Sequence, residues 1–134
     1  MNSKKLQNEK YHISAGAKMV PFSGYNMPIW YTSIADEHNC VRNNVGIFDV
    51  SHMGEFIVSG IESIKFLQKV TSNNIEKLKV GNAQYSSLTN ENGGIIDDLI
   101  VYCLNINKYM LVVNASNMKK DFDWLEKHNL YKAK

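Results

Sequence analysis

The sequence predicts an α+β fold in which helices pack on a largely antiparallel sheet. Three observations lead to this class. Short stretches of β-branched and aromatic residues dominate the second half of the chain, and connections rich in Asn and Gly separate them. Two further segments carry apolar residues near helical spacing. From residue 55 onward the predicted order is β-α-β-β-β-α, and the short connections between successive strands favour antiparallel pairing.

The first part of the chain predicts only short elements. Residues 1–11 are polar, and we expect them to be frayed or loosely helical. Residues 16–31 contain two Gly and two Pro, which favours extended pieces and turns over a helix. Ser33 is a good N-cap for a helix over residues 34–43, which Gly46 and its neighbours would end.

A strand and a helix open the second part. Residues 55–59 alternate and are β-branched, which predicts a strand that Gly60 ends. The next segment, residues 61–70, predicts a helix with a broad apolar stripe. The stripe consists of Ile61, Ile64, Phe66, Leu67 and Val70.

Three strands and a last helix follow. Strands are predicted over residues 83–89 and 95–104, joined by an Asn- and Gly-rich connection suited to a hairpin. A third strand is predicted over residues 108–114. Ser116 or Asn117 would cap a final helix that runs to about residue 128.

Composition and charge exclude several classes. The 134 residues are 44% hydrophobic and 21% charged, as in an ordinary globular domain. A net charge of +2 is too small to argue for nucleic-acid binding. No apolar run approaches the roughly 20 residues of a membrane span, and the polar start has no signal-peptide core. Cys40 and Cys103 are far apart in sequence and form no C-x-x-C pattern, which favours two reduced thiols over a disulfide.

Two adjacent acids, Asp97 and Asp98, interrupt an apolar strand. Neighbours on a strand point to opposite faces, so one carboxylate should face the interior if one side of the sheet is buried. A buried carboxylate is costly unless it is hydrogen-bonded. Two interpretations stay open on this pattern. One Asp could bond the amides of the preceding Gly-Gly turn, or it could wait at a cleft to polarise or deprotonate a bound nitrogen.

Other reactive residues predict no site. Asp49, Ser51 and His52 lie too close in sequence for triad geometry, and no nucleophile elbow is present. His38 and Cys40 have no second ligand pair, so no metal site is predicted. The remaining histidines, His12 and His128, are predicted to face solvent. The glycines match neither a phosphate-binding loop nor a dinucleotide fingerprint.

Several tyrosines and a tryptophan give the chain a surface able to stack on a flat heterocycle, although each alone is more often a core residue. They are Tyr25, Trp30, Tyr31, Tyr85, Tyr102 and Tyr109.

A series of ordered motifs runs along the chain from about residue 12 onward. They are Gly16-Ala-Lys-Met-Val20, Phe22-Ser-Gly-Tyr-Asn-Met-Pro28, Glu37-His38, Val41-Arg42, Gly46-Ile-Phe-Asp-Val-Ser-His-Met-Gly-Glu55, Tyr85-Ser-Ser-Leu-Thr-Asn-Glu91, Gly93-Gly-Ile-Ile-Asp-Asp-Leu-Ile-Val-Tyr102, Val112-Val-Asn-Ala115, Lys120-Asp121 and Trp124. In these motifs and their order the chain resembles the N-terminal portion of the glycine cleavage system T protein family.

The resemblance implies a tetrahydrofolate-dependent aminomethyltransferase. Such an enzyme takes an aminomethyl group from the lipoyl arm of H protein and passes the carbon to tetrahydrofolate, its co-substrate, with no metal. It implies Asp97 as the catalytic residue and Asp98 as a structural one. The implied folate-binding residues are Met53, Tyr85, Asp97, Val113 and Asn114.

The resemblance also implies which domains the chain contains, which partner it has and in which compartment it is found. It implies that residues 1–54 belong to the first T-protein domain, and residues 55–134 to a truncated middle domain. We therefore expect an incomplete fold, marginal stability, and no activity of this chain alone. Lipoylated H protein is the implied partner, with neither nucleic acid nor membrane. The implied compartment is the bacterial cytoplasm, or the mitochondrial matrix if the source is eukaryotic.

Two other interpretations stay open. The chain could be a folate-binding paralogue without transferase activity, such as the iron–sulfur-assembly relatives. It could also be an interaction fragment. The Asp97-Asp98 pair and the position of Cys103 favour the aminomethyltransferase over the first of these.

Overall fold

A computed structural model describes residues 3–134. The chain forms two compact units, one ending at His52 and one beginning at Met53. The assignment of residues 1–54 and 55–134 to two different T-protein domains stays a prediction.

The first unit contains two short helices and a two-stranded antiparallel hairpin. A tight turn joins the strands, where Ser23 and Gly24 adopt positive φ angles of 48° and 82°. The extended pieces predicted for residues 16–31 are confirmed. The elements are α1 (Glu9–Ser14), β1 (Lys18–Phe22), β2 (Tyr25–Trp30) and α2 (Ile34–Asn43).

Helix α2 begins and ends where the sequence predicts. The Ser33 hydroxyl accepts a 3.1 Å hydrogen bond from the Asp36 backbone N–H and donates a 2.7 Å bond to the Asp36 carboxylate. This cap satisfies one of the free N–H groups at the start of the helix. The Glu37 carboxylate adds a second anchor, because it accepts from the backbone N–H groups of Tyr31 at 2.6 Å and Thr32 at 2.8 Å.

The second unit is a four-stranded antiparallel sheet with two helices, and its strand order is β3-β6-β5-β4. The predicted β-α-β-β-β-α order is confirmed. A 3-10 turn over Ile75–Lys77, which the sequence did not predict, follows the first helix. The elements are β3 (Gly54–Ser59), α3 (Ser63–Val70), β4 (Ala83–Thr89), β5 (Ile95–Asn105), β6 (Lys108–Val113) and α4 (Met118–His128).

The core of this unit lies between one face of the sheet, here called the inner face, and helices α3 and α4. Burial of these apolar side chains is the main stabilising contribution to the unit. The core residues are Val58, Phe66, Leu67, Val70, Ile75, Leu88, Leu99, Val101, Cys103, Tyr109, Leu111, Val113 and Leu125. The opposite side, the outer face, leaves Ile57, Tyr85 and Ile100 exposed.

Helix α3 begins two residues later than predicted. Gly60 has a φ of +102°, and its carbonyl accepts a 3.0 Å hydrogen bond from the Ser63 N–H. This turn directs Ile61 to solvent, where 82% of it is exposed. Ile61 is therefore not part of the apolar stripe, and the prediction was wrong at this residue.

The predicted β4–β5 hairpin is confirmed. The Asn90 side-chain oxygen accepts from the N–H groups of Asn92 at 3.0 Å and Gly94 at 2.8 Å. Gly93 has a φ of +79°, which favours glycine at that position. A bulge between Leu88 and Thr89 shifts the register beside the turn. This anchored turn fixes the start of β5, which carries the two acids.

Two further predictions concern the whole described range. Within residues 3–134, no helix is long and apolar enough to cross a membrane. Cys40 and Cys103 are both free thiols, as predicted, with Cys40 exposed and Cys103 buried.

Candidate active site

Asp97 and Asp98 lie on opposite faces of β5. Asp97 pairs with Leu88 on β4 and points to the inner face, where only 6% of it is exposed. Asp98 pairs with Ser87 and is exposed on the outer face. The prediction that one carboxylate of the pair faces inward is confirmed.

Asp97 is surrounded by side chains that hold its carboxylate. Its Oδ1 accepts hydrogen bonds from the side-chain amides of Asn114 at 3.0 Å and Asn117 at 2.9 Å. Burial raises the pKa of Asp97, but hydrogen bonds from Asp121, Asn114 and Asn117 outweigh it and lower that pKa. Its Oδ2 is buried. Asp97 is thus an ionised, inward-facing group.

The role of Asp97 as an acid at a cleft stays a prediction. In this structure its carboxylate is enclosed, because Oδ1 accepts from two amides and Oδ2 is buried. The alternative, that an Asp bonds the Gly93 and Gly94 amides, does not hold. Asn90 accepts the hydrogen bond from the Gly94 N–H.

Of the two acids, Asp98 is the one that lies on the solvent-exposed outer face. Its Oδ2 accepts a 3.0 Å hydrogen bond from the Tyr85 hydroxyl, and its Oδ1 accepts a 3.1 Å bond from the Asn114 amide. The Asp98 carboxylate therefore bonds two side chains. The hydrogen bond to Asp98 is the main reason why the pKa of Tyr85 is raised. With 63% of Tyr85 exposed, the tyrosine and the carboxylate form an accessible pair.

The loop after β6 carries the two amides that hold the acids. A 2.9 Å backbone hydrogen bond from the Asn117 N–H to the Asn114 carbonyl closes this loop. Asn117 occupies the N-cap position of α4, as predicted, but its side chain makes no capping bond. Its amide donates to Asp97 instead. Asn114 contacts both carboxylates and couples the two faces of the sheet.

Of the other predicted folate-binding residues, Val113 lies on the inner face of the sheet, opposite Leu99. It is fully buried in the core. Its neighbour Val112 is half-buried on the outer face and pairs with Ile100 across the sheet. Met53 is half-buried and directly precedes β3. Since Gly54 pairs with Val113, Met53 lies at the same end of the sheet as Asn114.

Sequence reasoning missed Asp121, which is fully buried in the first turn of α4. A signal was available, because Asp121 falls at helical spacing between Met118 and Leu125 on the predicted apolar face. A carboxylate on that face requires a buried partner.

Sequence reasoning also missed a network in the first unit. The two ring nitrogens of His12 lie 2.7 Å from the Tyr31 hydroxyl and 2.7 Å from Asp49 Oδ2. Only 12% of the His12 side chain is exposed, so the prediction that it faces solvent was wrong. Burial raises the pKa of Asp49, yet hydrogen bonds from Ser51 and His12 lower it to about 2. Asp49 also accepts a 2.9 Å hydrogen bond from the Ser51 backbone N–H, which is a local contact within this loop.

Metal-ligating residues are scattered. Within the part of the chain that the structure describes, no three His, Cys, Asp or Glu side chains converge in a group that could hold a metal ion.

Both the sequence and the fold of this chain are similar to those of known proteins. The family model described as the GCVT N-terminal domain matches residues 9–133. The chain belongs to this family. The crystal structure of the glycine cleavage system aminomethyltransferase T from Bartonella henselae superposes with a TM-score of 0.88 at 39% identity, over 96% of this chain and 36% of that one. The fold is therefore that of the glycine cleavage T protein.

Curated members of the GCVT family extend the comparison. An aminomethyltransferase from Flavobacterium psychrophilum is 58% identical over 88% of this chain and 33% of its own length. One from Bacteroides thetaiotaomicron is 59% identical over the same shares. One from Halothermothrix orenii is 50% identical over 91% of this chain and 34% of its own length. The chain thus spans about a third of the relatives that it matches.

Proposed function

We propose that this chain supplies the folate-facing acid of a tetrahydrofolate-dependent aminomethyltransferase of the glycine cleavage system. In the proposed reaction the aminomethyl carbon moves from the lipoyl arm of H protein to tetrahydrofolate. The products are 5,10-methylenetetrahydrofolate, ammonia and the dihydrolipoyl form of H protein. Membership of the GCVT family and the accessible Tyr85–Asp98 pair support this proposal.

The single observation that carries the mechanism is the exposure of Asp98 beside Tyr85 on the outer face. A folate amine that attacks the methylene carbon gains positive charge and must lose a proton. A fixed carboxylate at that point stabilises the charge and can accept the proton. Since Asp97 is enclosed, we assign this ligand-facing role to Asp98. We assign Asp97 the role of a support that holds the Asn114 amide.

The outer face offers the remaining contacts for a flat heterocycle. Tyr85 presents an exposed ring for stacking beside the carboxylate. Val112 lies on the same face, and we propose it as the apolar contact in place of Val113. Asn114 and Met53, at one end of the sheet, would border the ligand. This arrangement is a platform, and the remaining walls would come from sequence outside this chain.

The chain covers about a third of its relatives, so the whole reaction is proposed for the protein that contains this portion. We propose lipoylated H protein as the partner and tetrahydrofolate as the co-substrate. We also propose the cytoplasm as the compartment, since the similar aminomethyltransferases come from bacteria. A chemistry without a metal is part of the same proposal.

The short coverage favours a second candidate, a folate-binding portion that has no turnover alone. Calorimetric titration of this chain with tetrahydrofolate separates the two. Saturable binding without turnover supports the second candidate for the isolated chain, while turnover with H protein would exclude it.

Parallel isosteric substitutions test the assignment of the acids. Asp98→Asn and Asp97→Asn are placed in this chain fused to the remaining two thirds of the Bacteroides thetaiotaomicron relative. We expect Asp98→Asn to lower kcat by about 10²-fold or more with an unchanged melting temperature. We expect Asp97→Asn to lower the melting temperature as well, because it removes a buried charge that accepts two amide bonds. Normal turnover of a folded Asp98→Asn protein would refute the assignment.

A further inference from the structure

Asp121 is a buried acid with no donor of its own. It is 0% exposed, and its backbone N–H donates a 2.9 Å hydrogen bond to the Asn117 carbonyl inside α4. Neither oxygen of its carboxyl group finds an N–H or O–H donor among residues 3–134. An ionised carboxylate in that position would be strongly destabilising.

The group that meets Asp121 is Asp97. Both acids bond to Asn117, since its side-chain amide donates at 2.9 Å to Asp97 Oδ1 and its carbonyl accepts at 2.9 Å from the Asp121 backbone N–H. Asp97 Oδ2 and both carboxyl oxygens of Asp121 are buried and have no N–H or O–H donor among residues 3–134. Two ionised carboxylates enclosed in this way would be strongly destabilising, which favours a single proton held between them.

The surrounding donors decide which acid carries this proton. Asp97 Oδ1 accepts from two amides, which favours its ionised form. Asp121 has no such donors, so burial and the hydrogen bond to Asp97 raise the pKa of Asp121 to about 7. The other charged groups near Asp121 are Lys120, which favours ionisation, and Asp98, which opposes it. The Lys120 ammonium donates at 2.7 Å to the Ile96 carbonyl.

We propose that Asp121 is a positioning residue that holds one proton against Asp97 and thereby fixes the Asn114 amide between Asp97 and Asp98. Asn114 Nδ2 lies 3.0 Å from Asp97 Oδ1 and 3.1 Å from Asp98 Oδ1, so it transmits the state of the buried pair to the outer face. Loss of the proton places two negative charges in contact and loosens this arrangement. The consequence for catalysis rests on the proposed function, whereas the shared proton does not.

The substitution Asp121→Asn removes the titratable carboxyl group but keeps the size and shape of the side chain. The Asn amide can donate a hydrogen bond to Asp97 at every pH. The carboxyl group of Asp121 can do so only while it is protonated. Asp123→Asn is the matched control, since Asp123 lies on the same helix with its side chain 55% exposed and paired with Lys119.

Carbon-detected NMR of the carboxyl groups, recorded on this chain from about pH 3 to 9 without folate, tests the shared proton. We expect one Asp carboxyl to titrate near neutral pH in the wild type and in Asp123→Asn, and to disappear in Asp121→Asn. If no Asp carboxyl titrates above about pH 5.5, or if the signal persists in Asp121→Asn, the shared proton is refuted. Since no folate is present, this result is independent of the proposed function.

The pH profile of turnover in the fused protein tests the positioning role. We expect wild-type kcat to fall as pH rises through neutral, and Asp121→Asn to retain at least half of its kcat there. The positioning role of Asp121 would be refuted if NMR confirmed the shared proton and kcat of Asp121→Asn still fell with rising pH as much as wild-type kcat does. If every variant including Asp123→Asn lacks turnover, the proposed function is refuted. The NMR test of the shared proton is not affected by that result.

Discussion

The Tyr85 hydroxyl donates a 3.0 Å hydrogen bond to Asp98 Oδ2 on the exposed face of the sheet. The bond joins neighbouring strands, since Tyr85 lies on β4 and Asp98 on β5. It orients a carboxylate that solvent and ligand can reach, at the point where the proposed reaction requires an acceptor.

Removal of the Tyr85 hydroxyl should weaken this orientation without disturbing the fold. Tyr85→Phe keeps the ring and loses the hydrogen bond. We expect a loss of about 3–10-fold in tetrahydrofolate affinity, which corresponds to one exposed hydrogen bond to a charged group. Calorimetry measures the affinity. Tyr102→Phe is the control, because no side-chain bond of its hydroxyl is observed in the described residues, and an equal loss there would contradict the assignment.

Alanine substitutions at the adjacent residues Val112 and Val113 should have different effects on folate binding and on stability. Val113→Ala creates a cavity in the core, so we expect it to destabilise the protein by about 1–3 kcal/mol. Val112→Ala should cost less stability and weaken tetrahydrofolate binding, because this side chain lies on the outer face. Urea unfolding and calorimetry measure the two effects. The assignment of the faces fails if the two substitutions exchange these effects.

Helix α3 offers a direct test of its corrected start. Leu67 is 0% exposed and Ile61 is 82% exposed. We expect Leu67→Ala to lower the free energy of unfolding by about 2–5 kcal/mol, and Ile61→Ala to change it by less than about 0.5 kcal/mol. Chemical denaturation measures both. Comparable losses in the two variants would contradict the observed helix boundary.

The His12–Asp49 contact predicts the acid sensitivity of the first unit. The folded-state pKa of Asp49 is lowered from 3.8 to about 2. Its stabilising contribution is therefore complete above about pH 4 and is lost as pH falls toward 2. His12→Ala removes one of the hydrogen bonds that offset burial of this carboxylate, so acid unfolding should begin at a higher pH. Circular dichroism against pH measures the midpoint.

His38→Ala is the control for that experiment, because His38 is an exposed histidine of the same unit. An unchanged midpoint in His12→Ala, or an equal shift in His38→Ala, would contradict a stabilising His12–Asp49 contact.

Local chemistry made most of the fold predictable from the sequence. Ser33 and the Asn90–Gly94 connection act through bonds to their own neighbours, and both appear as expected. The start of α3 was less predictable. Ile61 continues the apolar pattern, but the turn at Gly60 takes it out of the helix.

The site was only partly predictable because apolar residues occupy both faces of its strands. Ile100 is exposed on the outer side of β5, while Leu99 and Val101 are buried on the inner side, and the half-buried Ile96 also packs against the core. Alternation therefore shows that Asp97 and Asp98 point in opposite directions, but it does not show which one points inward. That choice depends on tertiary contacts to the loop after β6 and to α4.

The same ambiguity applies to Val112 and Val113, which end an apolar run in β6. Only packing against the helices distinguishes the valine that belongs to the core. Asp121 completes the inner arrangement, and its partner is 24 positions earlier in the chain, beyond the reach of local patterns.

The most direct test of the account is to locate tetrahydrofolate on this chain by intermolecular NMR contacts. We predict contacts between the pterin ring and the side chains of Tyr85 and Val112, with the reactive amine edge directed at Asp98. Contacts confined to surfaces remote from β4 and β5, or a bound pterin in contact with Asp97 and not with Asp98, would contradict it.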